Sequence, residues 1–200
     1  MKKLFTLILL TFTLTTYSQE FTDAKGLFHY TSVVEIPKEK KELKALLDKW
    51  IAINFKNSSY VTKLNSEEAI IVKGSFKILK AGAPTTFEFT MDLAIKEGKY
   101  KLEIYNLSEF TSYMAYSINI MYPENFTYEI FKAKCVSLAD GVSFGKNMIL
   151  KKTENKKIMD KHYEQSKTEM TEVYNSVKTQ VESIAESIKN YVENNKASEW

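Results

Sequence analysis

Between Thr31 and Lys77 the chain passes through an alternating stretch, a proline, one amphipathic segment of helical spacing and a second alternating stretch. That order constrains the fold more than any other part of the sequence. In Leu27–Ile36, Phe28, Tyr30, Ser32, Val34 and Ile36 share one face, with His29, Thr31, Val33 and Glu35 on the other. Successive side chains of a strand point to opposite faces, and Pro37 cannot continue a ladder, so a strand ends there. Leu43, Leu46, Leu47, Trp50 and Ile51 then recur at helical spacing behind a soluble first turn, Lys38–Glu42. Asn57-Ser58-Ser59 breaks the helix, and Tyr60–Leu64 reads as a short second strand.

The pattern continues in strands. Ala69–Leu79 sets Ile70, Val72, Gly74, Phe76 and Ile78 on one face and Lys73, Ser75 and Lys77 on the other. After a turn at Ala81-Gly82-Ala83-Pro84, Phe87, Phe89, Met91, Leu93 and Ile95 point inward while Glu88, Thr90 and Asp92 point outward. Glu97-Gly98 predicts a two-residue hairpin loop, with Gly98 supplying the positive φ, and Tyr100, Leu102 and Ile104 make a fifth strand. Strict alternation means one buried and one wet face, hence an antiparallel sheet covered on a single side. The class is α+β, with about five or more strands in the order β-α-β-β-β-β and helices on one face.

Phe110–Leu150 is dense in aromatic residues and Met and weak in periodicity, and is expected to add strands or loops that pack on the sheet. Beyond Glu154, Met170, Val173, Val177, Val181, Ile184, Ile188 and Tyr191 follow a three-four spacing free of Gly and Pro, which predicts a long amphipathic helix. That stripe either caps the sheet or joins a second copy in a coiled coil, making a homo-oligomer. Lysines at Val177 and Ile184 separate the two: a folded monomer from a coiled coil, an unfolded domain from a cap.

The first residues, MKKLFTLILLTFTLTTYSQ, have a basic start, a short apolar run and a small polar end, the three parts of a secretory signal. The run is too short and too rich in Thr to span a membrane. Cleavage after Gln19 would remove Lys2 and Lys3, so 28 basic residues against 25 acidic ones become 26 against 25. Every basic residue is Lys, which lacks the planar fork of Arg, and the lysines are interleaved with acids. Nucleic-acid binding is therefore not expected. A single cysteine, Cys135, excludes an internal disulfide framework, so the fold must rest on its own core.

Set in order, VVEIP at Val33–Pro37, LLDKWIAINFK at Leu46–Lys56, EEAIIVKGSFK at Glu67–Lys77 and the hairpin FEFTMDLAIKEGKYKLEIYN at Phe87–Asn106 resemble a known family. It is the domain of unknown function 4468, found in exported Bacteroidetes proteins and described as having a TATA-binding-protein-like (TBP-like) fold. The resemblance covers Leu27–Leu107 and implies a curved antiparallel sheet with helices on one face. It does not imply DNA binding, because function lives in sites rather than folds, and it transfers no catalytic or binding residue. The expected division is a signal peptide over 1–19, the TBP-like domain over 27–110, aromatic-rich strands or loops over 111–152, and the terminal helix over 153–196.

The chemistry-bearing residues are sparse. His29 and His162 have no second His or Cys nearby in sequence, short of the three or four ligands a zinc site needs, so no metal or cofactor is expected. Cys135 could pair with a distant His as a nucleophile, but a lone Cys is more often a small buried hydrophobe. Gly141–Lys146 lacks the spacer and the hydroxyl of a phosphate loop. Glu88, Asp92 and Glu103 could gather on the outer sheet face, where alternation with Lys makes a solvated surface the default. Asn57, Asn106 and Asn125 each open an N-x-Ser/Thr triplet, expected to be unused in a bacterial protein, and Lys196–Trp200 does not alternate as a barrel strand would.

These readings favour an exported, non-catalytic binding or interaction module whose partner is a protein or a small apolar ligand. The first alternative is a carrier in which Phe110–Leu150 closes over an apolar ligand. A hydrolase using Cys135 comes last.

Overall fold

The computed structural model describes residues 20–22, 26–55, 61–109, 118–120, 122–140 and 155–196. Seven strands form one antiparallel sheet: β1 (Glu20–Thr22), β2 (Phe28–Glu35), β3 (Thr62–Asn65), β4 (Ala69–Lys80), β5 (Ala83–Lys96), β6 (Lys99–Glu109) and β7 (Ile118–Asn119). Their spatial order is β1-β2-β6-β5-β4-β3, and β7 pairs with the far end of β6. Among the described residues three α-helices accompany them: α1 (Lys40–Asn54), α2 (Tyr128–Asp140) and α3 (Lys156–Asn194). The expected β-α-β-β-β-β order is present as β2-α1-β3-β4-β5-β6.

The faces follow the alternation. Phe28, Tyr30, Ser32, Val34 and Ile36 are buried, as are Phe87, Phe89, Met91, Leu93 and Ile95 of β5 and Tyr100, Leu102 and Ile104 of β6. Leu43, Leu46, Leu47, Trp50 and Ile51 of α1 enter the same core, together with Val177, Val181, Ile188 and Val192 of α3. Both helices thus bury their stripes against one face of the sheet, and the α3 stripe is consumed inside its own chain.

The corner after β2 is held by the β5–β6 turn. Gly98 takes φ 71°, its carbonyl accepts from Ile36 N at 2.8 Å, and its N–H donates to the Lys38 carbonyl at 3.2 Å. The Glu97 carboxylate accepts from Lys40 N at 2.9 Å, satisfying one of the open N–H groups at the start of α1. At the other end of β5, Ala81 and Gly82 both take positive φ (49° and 78°), as a tight hairpin turn of type I′ requires.

One part of the sequence expectation is corrected. Within the stretch expected to add strands or loops, the two residues of β7 are strand, but Tyr128–Asp140 is a helix. Thr127 Oγ1 accepts from Ile130 N at 3.3 Å at its start. Its apolar side, with Phe131 and Cys135, packs on the first half of α3 in a second cluster built from Phe126, Phe131 and Met159. Aromatic residues with high strand propensity hid a helix whose apolar side, among the described residues, faces another helix. No helix among the described residues is long and apolar enough to cross a membrane.

Candidate functional site

On the uncovered face of the sheet, register places Glu103 opposite Thr31 of β2 on one side and opposite Asp92 of β5 on the other. Asp92 and Glu103 therefore meet, as their spacing allows. Glu88 stands apart beside Ser108, beyond a bulge at Asn106, whose φ is 52°. A fourth group joins them that sequence reasoning placed alone. His29 Nε2 lies 3.3 Å from Glu103 Oε1, and its ring stands 5.7 Å from that of Tyr105. Lys101 Nζ reaches Glu103 Oε2 at 3.0 Å.

Burial pushes the Glu103 carboxyl up, but Lys101 and then His29 outweigh it and hold the group below the usual range. Burial also raises Asp92, Glu103 adds to that, and Lys101 opposes it only in part. Glu103 thus adds stability above the ordinary carboxylate range and loses it as pH falls through its lowered pKa, whereas ionised Asp92 subtracts. Asp92→Asn is expected to stabilise the fold by about 0.2–1 kcal/mol at neutral pH, the scale of one cross-strand charge pair. The gain should vanish below pH 3.8, where Asp92 is protonated folded and unfolded alike; urea titrations at the two pH values check this. A ladder of paired, water-reached charges fits a contact surface better than proton transfer, which calls for a poised group in a desolvated cleft.

The remaining candidates lie elsewhere. Cys135 is half-buried against the second cluster, and burial pushes its thiol up, away from the reactive thiolate. His162 is exposed on α3. Asn125 ends a turn of 3-10 helix, Pro123–Asn125, and packs on Gly26, which takes φ 73°. Asn57, the 141–146 stretch and Trp200 fall outside the described residues. Among the described residues no three His, Cys, Asp or Glu side chains are grouped to hold a metal.

The second surface is a groove of about 630 Å³ beside the middle of α3, walled by Phe21 of β1, Tyr122, Pro123 and Glu124 on one side and Lys167, Tyr174 and Lys178 on the other. Tyr122 and Tyr174 meet edge to face at 5.4 Å, and Tyr174 meets Phe28 of the core at 5.6 Å. Burial, then Tyr122 and Glu182, push the Tyr174 phenol up to about 12, so it remains a neutral donor. Lys178 Nζ sits 4.4 Å over the Phe21 ring and Lys167 Nζ 5.9 Å from the Tyr163 ring. Aromatic walls with two ammonium groups against one carboxylate, Glu124, suit an apolar group that also carries negative charge. The sequence shows these aromatics but not their meeting, since Phe21, Tyr122 and Tyr174 are brought together only by the path of α3.

Comparison with known proteins agrees with the architecture. Residues 30–110 match the family model DUF4468, a domain of unknown function with a TBP-like fold. The resemblance read from the four motifs is therefore shown over that segment. The chain is similar in structure to a TBP-like protein from Parabacteroides distasonis, with TM-score 0.52, 14% identity, and coverage of 87% of this chain and 97% of that one. A DUF4468 family protein from Bacteroides ovatus aligns at TM-score 0.42 and 14% identity, over 50% of this chain and 64% of its own. The first of these likenesses shows a TBP-like α+β fold. No curated protein matches the chain.

Proposed function

We propose that the chain is an exported, non-catalytic binding module, and that its contact surface is the groove at Phe21, Tyr122 and Tyr174. The observation that carries this is the groove's make-up: packed aromatic walls beside the core, with Lys167 and Lys178 at the rim. The partner it fits is a protein segment or small molecule that places a carboxylate beside an apolar group. Export rests on the three-part start of the sequence, and β1 begins at Glu20, so cleavage after Gln19 leaves every described element whole. In residues 122–140 the described aromatics Phe126, Tyr128 and Phe131 pack on one another and on Tyr163, which favours the binding module over a carrier closing on an apolar ligand.

Native mass spectrometry of the protein purified gently from its source tests both parts. The expected polypeptide mass begins at Glu20 and carries a bound species that is lost on denaturation. The Lys167→Glu, Lys178→Glu variant should arrive folded and bare, while Cys135→Ala keeps the bound species. A mass that includes residues 1–19 would overturn export. A bare wild-type protein, or a bound species retained by the charge-reversed variant, would overturn the groove.

A further inference from the structure

The groove beside the middle of α3 holds a hydroxyl with nothing to bond. Tyr174 is 4% exposed, its ring held between Phe28 at 5.6 Å and Tyr122 at 5.4 Å. Among the described residues its hydroxyl has no hydrogen-bond partner, and no hydrogen bond contributes to the rise of its pKa. Buried polar groups are as a rule paired, so this one calls for an explanation. The oxygen is not sealed off: Tyr174 lines the groove, which reaches its one exposed edge.

The charges around it favour an anion. Lys167, Thr171, Tyr174 and Lys178 recur at helical spacing and line the groove from one side of α3. Tyr174 and Lys178 are one turn apart, about 6 Å along the axis. Neither Lys167 nor Lys178 has an ion pair among the described residues. Each instead rests near a ring, Lys178 Nζ 4.4 Å over Phe21 and Lys167 Nζ 5.9 Å from Tyr163. Glu124 is the one carboxylate in the groove's described wall.

The shape favours an extended chain. From Lys167 to Lys178 the groove follows α3 for about 16 Å, the span of four or five extended residues. Asn175 lines it from an exposed position, and its side chain has no hydrogen bond among the described residues. That amide offers a donor and an acceptor to a passing backbone, which a compact organic acid would leave unused.

We propose that this groove takes the C-terminal end of a partner polypeptide. The terminal carboxylate accepts from the Tyr174 hydroxyl and from Lys178 Nζ. The last side chain is apolar and lies against Phe21 and Tyr122, while the preceding backbone runs past Asn175 toward Lys167. The assignment rests on the groove being the contact surface, and adds the class of ligand and the hydroxyl that selects it.

The test titrates the isotope-labelled chain with acetyl-Gly-Ser-Ala tetrapeptides ending in Phe, Leu or Val, each as the free acid and as the C-terminal amide, read by backbone amide shifts. At least one acid should give saturable shifts at Tyr122, Tyr174, Asn175 and Lys178, with its amide at least tenfold weaker. Tyr174→Phe keeps the packed ring and removes only the hydroxyl. It should weaken the acid by about tenfold or more, the scale of a hydrogen bond to a charged group, and leave the amide unchanged. The proposal is overturned if no acid gives saturable shifts, if acid and amide bind alike, or if Tyr174→Phe binds the acid as well as wild type. It is also overturned if 3-phenylpropanoate binds as tightly as the peptide ending in Phe, which would make the ligand a small acid. A natively bound species that Tyr174→Phe keeps and the Lys167→Glu, Lys178→Glu variant loses would leave the groove as contact surface and remove this assignment alone.

Discussion

The Val177→Lys, Ile184→Lys double variant is expected to be unfolded at 25 °C, with no cooperative thermal transition and no compact monomer on size exclusion. Val177 is fully buried in the main core, and Ile184 packs against that core from the same stripe. Losing Val177 removes an aliphatic side chain worth about 1.5–3 kcal/mol of burial, and losing the partly buried Ile184 removes less. Each also forces an ammonium toward an environment where unpaired charge costs several kcal/mol more. A domain stable by about 5–15 kcal/mol cannot absorb both. A folded monomer with native far-UV signal would instead mean that the stripe serves a second copy and that α3 does not cap this sheet.

Trp50→Ala is expected to cost about 3–5 kcal/mol, the range for emptying a large aromatic from a core. The indole is buried in α1, meets Phe55 edge to face at 6.1 Å, and donates from Nε1 to Ser187 Oγ of α3 at 3.1 Å. Its N–H ties α1 to α3, and its ring lies in the core that both helices share with the sheet. Ser187→Ala separates the two roles. It removes the hydrogen bond alone and should cost about 0.5–1.5 kcal/mol. Denaturant midpoints of the two variants give the comparison; equal losses would show that Trp50 acts mainly through its N–H.

The contrast between what was legible and what was not has a physical basis. Periodicity is visible wherever a segment has one wet and one dry side over many residues. That held for β2, β5 and β6, for the α1 stripe, and for Val177, Val181 and Ile188 of α3. It failed for β1 and β7, at three and two residues, because no repeat fits within them. It failed for α2, whose apolar residues are satisfied by one neighbouring helix rather than by a sheet. Sites are less legible than elements because they are made by register. His29 and Glu103 are 74 positions apart, and only the pairing of β2 with β6 brings them together.

The helix that closes the core follows every strand in chain order, so it leaves the ribosome after all of them. The meander from β3 to β6 needs only neighbouring hairpins, but β2 must find β6 across about 70 residues, and such distant pairing is slow. Even then the apolar side of the sheet lacks Val177, Val181, Ile188 and Val192 until α3 has been made. Completion of the core is thereby deferred until α3 has emerged, whatever the earlier segments could do alone.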